Sequence, residues 1–320
     1  MGEIKRETEP NVLKSFAYSL GTELKNGRLD IPGKFGTGYC AGFIFNAHIR
    51  MLILNYELNE ELVIENPDIN VTAKTILFKF QNIFPGAEVL LSGNKASTTP
   101  TVLIATTSFS TAVVIPIHTN TATINIEVDA DYLKGLFNPS KESLVLHGLL
   151  QNTRPLLFEQ MIYPFLYKVV DEILSESVEE TFKLFFLRVK AEELVCRLLM
   201  ELEKRESKQL YGLNSRDIGA LYKAKSQMFA HLDTPPVLKE LAAYAGMSPT
   251  KFKRLFKQIF GKSNFAYYQD FRMKEAAVLL KQQKLSVADV GYKLGFTNLS
   301  HFSKVFEAHV GLKPKQYSKS

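Results

Sequence analysis

The chain is 320 residues long, about twice the usual single-domain length, with 46% hydrophobic and 22% charged residues. These values exclude a disordered chain, a collagen or a coiled-coil rod, and no apolar run reaches the roughly 18 residues of a transmembrane helix. The net charge of +6 is unevenly placed: residues 213–320 carry 18 Lys+Arg against 7 Asp+Glu, and residues 1–212 carry 21 against 26, so a polyanion is the expected partner of the C-terminal third.

The first residues, MGEIKRETEPN, are polar and lack the apolar core of a secretory signal. Cys40 and Cys196 lie far apart and can build neither a disulfide framework nor a four-ligand zinc site, which fits a reducing, cytoplasmic setting. From about residue 38 to 128, short apolar or alternating runs are broken by turn residues. YCAGFIF (39–45), IRMLILNYEL (49–58), TILFKFQ (75–81), TVLIATT (101–107), AVVIPI (112–117) and TINIEV (123–128) read as strands, with NKASTTP (94–100) as a loop. Strands at this spacing predict a barrel or sandwich rather than a parallel sheet.

After Asp129 the pattern turns helical. Short helices are expected over 132–137 and 143–150, and a longer one over 155–174 that Pro164 breaks or kinks. Residues 178–205 contain no Pro or Gly, and Phe182, Phe185, Phe186, Val189, Val195, Leu198, Leu199 and Leu202 recur at helical spacing. That helix has apolar surface both for packing and for a dimer partner. The expected division is an N-terminal domain over 1–206, β-rich and then helical, a linker over 207–214 and a basic C-terminal domain over 215–320.

The basic module repeats itself. LAAYAGMS (241–248) matches VGYKLGFT (290–297), and FKRLFKQIFG (252–261) matches FSKVFEAHVG (302–311). Each copy reads helix, tight turn, helix. In the first, Leu241 and Ala245 face inward, Gly246 can take positive φ, Ser248 is an N-cap and Pro249 occupies the first helical position. Phe252, Leu255, Phe256 and Ile259 mark a buried stripe, opposite a basic face of Thr250, Lys251, Arg254 and Lys257. In the second, Phe302, Val305 and Phe306 are expected inside and Ser300, His301, Lys304 and Glu307 outside. A glycine turn leading into a helix with a basic outer face is the arrangement that helix-turn-helix recognition needs.

From about residue 228 to 317 the chain resembles the paired helix-turn-helix domain of AraC-family bacterial transcription regulators. The resemblance rests on LKELAAYAGMSPTKFKRLFKQIFG, on the linker-helix pattern FRMKEAAVLL (271–280) and on SVADVGYKLGFTNLSHFSKVFEAHVGLKPKQY (286–317). Gly291, Lys304 and Ser318 depart from the usual Ala, Arg and Arg. Within the family the chain is most similar to the pyochelin-regulator-like branch, on HLDTPPVLKELA (231–242). The resemblance implies an α+β protein: an N-terminal β-rich, cupin-like barrel or sandwich with helices, then an all-α double helix-turn-helix domain. It implies a transcription regulator, most simply an activator, with double-stranded DNA, a small-molecule effector such as a ferric siderophore, RNA polymerase and a second copy as partners. The expected DNA contacts are Thr250, Lys251, Lys253, Arg254, Lys257, Asn298, Ser300, His301 and Lys304.

Other motifs are decoys. GKS (261–263) lacks the first glycine of a phosphate loop and follows a helix, and GTGYCA (36–41) opens a strand where a dinucleotide site needs one to end. His48, His118 and His147 are isolated, so no metal, cofactor or catalytic set is expected, and Cys196 reads as a buried, inert thiol. Two rival readings remain: a cupin-type enzyme with a DNA-binding appendage, and a DNA-binding protein that needs no ligand.

Overall fold

The computed structural model describes residues 9–59, 74–83, 90–91, 94–95, 100–106, 121–137, 143–162, 164–205, 209–282 and 285–319. The chain divides into two compact units, Met1–Leu213 and Asn214–Ser320. The first is β-rich with helices and the second is all helix.

The N-terminal unit begins with helix α1 (Asn11–Leu20), followed by strands β1 (Arg28–Asp30), β2 (Gly36–Ile44), β3 (Ile49–Leu58), β4 (Thr75–Gln81), β5 (Leu90–Leu91), β6 (Asn94–Lys95), β7 (Thr101–Thr106) and β8 (Thr121–Asp129). Then come α2 (Ala130–Leu136), α3 (Leu144–Gln151), β9 (Leu157–Met161), α4 (Pro164–Ser175) and α5 (Glu180–Glu203). Seven strands form one antiparallel sheet in the order β1-β2-β3-β8-β4-β7-β9, and β5 pairs with β6 separately. Side chains alternate between the faces of a strand. On β3, Ile49, Met51 and Ile53 join Ile124, Ile126, Phe78 and Ile104 in a core closed by α2 to α5. Leu54 and Tyr56 turn the other way, against Leu13, Phe16 and Leu20 of α1. Because both faces are covered in the middle of β3, residues 51–54 read as an apolar run, while Arg50 and Glu57 toward its ends are exposed.

Three expectations are corrected here. Residues 157–161 are a strand rather than the start of a helix, paired with β7 in register Leu103↔Glu159. All five residues are buried, so the alternation that marks a half-exposed strand is missing and helix and strand look alike. Pro164 opens α4, where its missing N–H removes no helical bond, so the break expected there separates a strand from a helix rather than two parts of one helix. Cys196 is exposed, and Cys40 is the buried thiol. The expected strand at 112–117 and most of the expected loop at 94–100 fall outside the described residues. Along α5, Leu187, Ala191, Leu194, Val195, Leu198, Leu199 and Leu202 face the core, while Phe182, Phe185 and Val189 are 59%, 69% and 44% exposed.

The C-terminal unit comprises α6 (Ser215–Ala230), α7 (Leu238–Tyr244), α8 (Pro249–Phe260), α9 (Asn264–Gln282), α10 (Val287–Lys293), α11 (Leu299–Val310) and α12 (Pro314–Tyr317). The two repeats are α7–α8 and α10–α11, with α9 between them. Helix α6 lies outside the repeats. Asn214 caps it, its Oδ1 accepting from the Asp217 N–H at 2.7 Å. Among the described residues, no helix is long and apolar enough to cross a membrane.

Candidate nucleic-acid interface

The first head is helix α8. The Ser248 hydroxyl accepts from the Lys251 N–H at 3.3 Å, Pro249 opens the helix, and Gly261 ends it at φ +76°. Cap and proline together set where the helix starts and how it leaves the turn. Phe252, Leu255, Phe256, Ile259 and Phe260 are buried along one side. Their rings stack onward, Phe252 to Phe256 at 5.5 Å and Phe256 to Phe260 at 4.4 Å between centroids, and then onto Tyr267 of α9. With that side anchored, Thr250, Lys253, Arg254 and Lys257 are exposed on the other. Lys251 differs from its neighbours. It is half-buried, and its ammonium sits 2.8 Å from the Asp217 carboxylate of α6. DNA would have to compete with that carboxylate for it.

The second head is helix α11. Asn298 caps it, its Oδ1 accepting from the His301 N–H at 3.0 Å, and Gly311 ends it at φ +84°. Phe302 and Phe306 are fully buried, while Val305, expected inside, is only half-buried. Asn298, Ser300, His301, Lys304 and Glu307 are exposed. The cap occupies the Asn298 carbonyl and leaves its amide N–H groups for any outside contact.

Both turns depend on glycine, for different reasons. Gly246 adopts φ +61° in open space, so only its backbone conformation is demanding. Gly295 adopts φ +76°, and a Cβ there would fall 1.9 Å from the carbonyl oxygen of Asp233. At Gly291 the room for a methyl group is already filled: a Cβ would meet Leu299 Cδ2 at 2.7 Å and Phe302 Cδ1 at 3.3 Å.

Helix α9 holds both heads. Arg272 is buried, and its Nε donates to the Leu294 carbonyl at 2.7 Å, with Nη2 on the same oxygen. Its Nη1 donates to Gln269 Oε1 at 3.1 Å, and the guanidinium lies 3.9 Å from the Phe296 ring centroid. Leu294 ends α10 and Phe296 lies in the turn, so this one side chain grips the second helix-turn-helix at its bend. Burial lowers the Arg272 pKa, but an arginine stays charged under any condition where the fold exists. The Tyr268 hydroxyl donates to the Leu232 carbonyl at 2.7 Å, and burial raises its pKa. Asp270 reaches both heads: it pairs with Lys262, just past the end of α8, and with Nε2 of His309 in the last turn of α11 at 3.2 Å. Burial pushes the Lys274 ammonium down to about 8, against the opposing pull of Asp270.

The expected DNA contacts therefore gather on the outer sides of α8 and α11. Sequence reasoning missed the residues that aim those helices: Asp217, Asp270 and Arg272. Asn214 followed three positions later by an acidic residue is a helix-start signal that would have exposed α6. For Arg272 and Asp270 the sequence shows only charges inside an amphipathic helix. Among the described residues, no group of three or more His, Cys, Asp or Glu stands where it could hold a metal ion.

A helix-turn-helix domain model matches residues 241–320. The chain is 39% identical over 83 residues to an HTH-type transcriptional regulator of Haemophilus influenzae, covering 26% of this chain and 28% of that one. It is 36% identical over 88 residues to the HTH-type transcriptional regulator GbdR of Pseudomonas aeruginosa, covering 28% of this chain and 24% of that one. Among solved structures it is similar to a transcriptional regulator with an AraC-type DNA-binding domain from Chromobacterium violaceum, at 31% identity and TM-score 0.31, covering 33% of this chain and 95% of that one. The chain spans about a quarter of the length of the curated relatives it matches.

Proposed function

We propose that the C-terminal unit, which matches a helix-turn-helix domain model over residues 241–320, is an AraC-type DNA-binding domain, and that the protein regulates transcription by reading two adjacent boxes of double-stranded DNA. One observation carries the reading: two capped helices, α8 and α11, each bury an aromatic side and expose a polar one, and both are tied to α9. Arg254 reaches a guanine edge with its planar fork, Thr250 and Lys253 touch bases or nearby phosphates, and Lys257 holds a phosphate. Lys251 joins them by exchanging Asp217 for a phosphate. Asn298, Ser300, His301 and Lys304 form the second contact set.

The N-terminal unit senses a small-molecule effector and joins two copies. The resemblance to the pyochelin-regulator-like branch points to a ferric siderophore or another apolar or aromatic compound, with activation through RNA polymerase. Phe182, Phe185 and Val189 follow helical spacing along α5 and are exposed, which supports a second copy docking there. Genome-wide binding of the tagged protein supplies the operator. Footprinting on that fragment tests the reading: two protected major-groove segments per monomer support it, and a featureless protection that tracks only charge rejects it.

A further inference from the structure

The buried side of the sheet away from the α2–α5 core carries polar groups that no packing role explains. Register places Leu52, Asn125, Lys79, Leu103 and Glu159 in one row across β3, β8, β4, β7 and β9. Thr123 lies two residues from Asn125 on the same face. Asn125 is 8% exposed and Thr123 7%, yet Asn125 Oδ1 and Thr123 Oγ1 have no hydrogen-bond partner among the described residues. A buried polar atom left unpaired costs about 1–3 kcal/mol, so native proteins rarely keep one without a use. Directly opposite Asn125, Lys79 has no ion-pair or hydrogen-bond partner among the described residues. Burial lowers its pKa, the mark of an ammonium stripped of water without a counter-charge.

We propose that the face around Lys79, Asn125 and Thr123 binds the carboxylate of a small organic acid, with Leu52, Leu77 and Leu103 packing against its apolar body. The inference rests on the effector-sensing reading of the N-terminal unit and names the chemistry of what it senses. Lys79 supplies the counter-charge and the Thr123 hydroxyl donates. The Asn125 amide, turned over about its last bond, presents its N–H2 group to the same oxygens. The half-buried leucines offer surface to a hydrocarbon body rather than to a sugar. A single positive charge suits a monoanion. Arg50 is already paired with Glu127 at 2.7 Å, and Glu159 lies two strands away, so a phosphate dianion would leave charge unmatched in a buried place.

Calorimetry on the full chain, with benzoate and hexanoate as probes and benzamide and hexanamide as their uncharged counterparts, tests this directly. The proposal expects at least one acid to bind at least about tenfold more tightly than its amide, the scale of one charge-assisted hydrogen bond. Lys79→Met should erase that preference while melting no lower than the wild type, because the ammonium has no partner among the described residues. Asn125→Leu should weaken the acid and leave the amide unchanged. Equal binding of acid and amide, no heat from either acid, a preference that survives in K79M, or a K79M protein that melts well below wild type would each overturn it. Acid binding that leaves operator affinity unchanged would keep the site and count instead against its role as an effector site.

Discussion

The two reading heads share a plan but are built to different strengths. Helix α8 buries five side chains along its length and passes an aromatic stack to α9, and its outer surface carries Lys253, Arg254 and Lys257. Helix α11 fully buries two phenylalanines, and its outer surface carries Lys304 beside Glu307. The first head is anchored by its own core and loaded with charge. The second is aimed by side chains of α9: Arg272 grips its turn and Asp270 its last turn. A duplicated sequence has thus yielded one helix anchored by its own aromatic core and one held in place by side chains of α9.

The largest expected effect breaks the stronger head. Phe256 is fully buried between Phe252, Phe260 and Tyr267, so Phe256→Ala should cost about 3–5 kcal/mol in denaturant unfolding of the C-terminal unit. A loss below about 1 kcal/mol would mean that this stack does not anchor α8.

Next comes the aiming device of the weaker head. Arg272→Ala strands the buried Leu294 carbonyl and should cost about 1–3 kcal/mol. Protection of the second box should fade before that of the first, and a parallel loss of both boxes would contradict the separate anchoring of the heads.

Readout itself should be unequal. Arg254→Ala should weaken operator binding by about 1–3 kcal/mol and relax the preference at one base pair. Lys304 is a point charge without the planar fork and has Glu307 nearby in sequence, so Lys304→Ala should cost less. Equal or larger discrimination losses at Lys304 would invert the ranking.

Smaller, and spread over a pH window, is the effect of Lys274. Its folded pKa of about 8 lies below the ordinary lysine value of 10.5, so between these limits the unfolded chain binds more protons. The ammonium's burial therefore costs stability below pH 8, and that cost is relieved as the pH rises toward 10.5. Lys274→Met should raise stability at neutral pH and flatten that alkaline gain. An unchanged pH profile would show that the lysine is solvated.

The repeat, its caps and its glycines were readable because each leaves a local signature: Ser248 before Pro249, glycine at 246 and 295, and phenylalanine at helical spacing. The same local logic gave β3 and β4 to the residue. It failed at β9, where burial of both faces removes periodicity, and although Asn214 and Asp217 mark the start of α6 locally, the ion pair of Asp217 with Lys251 leaves no local trace. It also misplaced Cys196, expected buried on α5 and in fact exposed, since periodic spacing shows which residues share a face but not whether anything covers it. The positioning residues Arg272 and Asp270 act over long sequence separations, and charge inside a helix does not announce its target. Lys79, Asn125 and Thr123 come together only through strand order, which places β8 between β3 and β4.

The central claim is that α9 fixes α8 and α11 as one rigid pair, reading two major-groove segments about 34 Å apart on one face of the duplex. Footprinting on an operator with about 5 bp inserted between the boxes tests it most directly, because half a helical turn carries the second box to the far face. The account predicts that the second box loses protection and that affinity falls toward that of the first head alone. Undiminished binding with both boxes protected would contradict it.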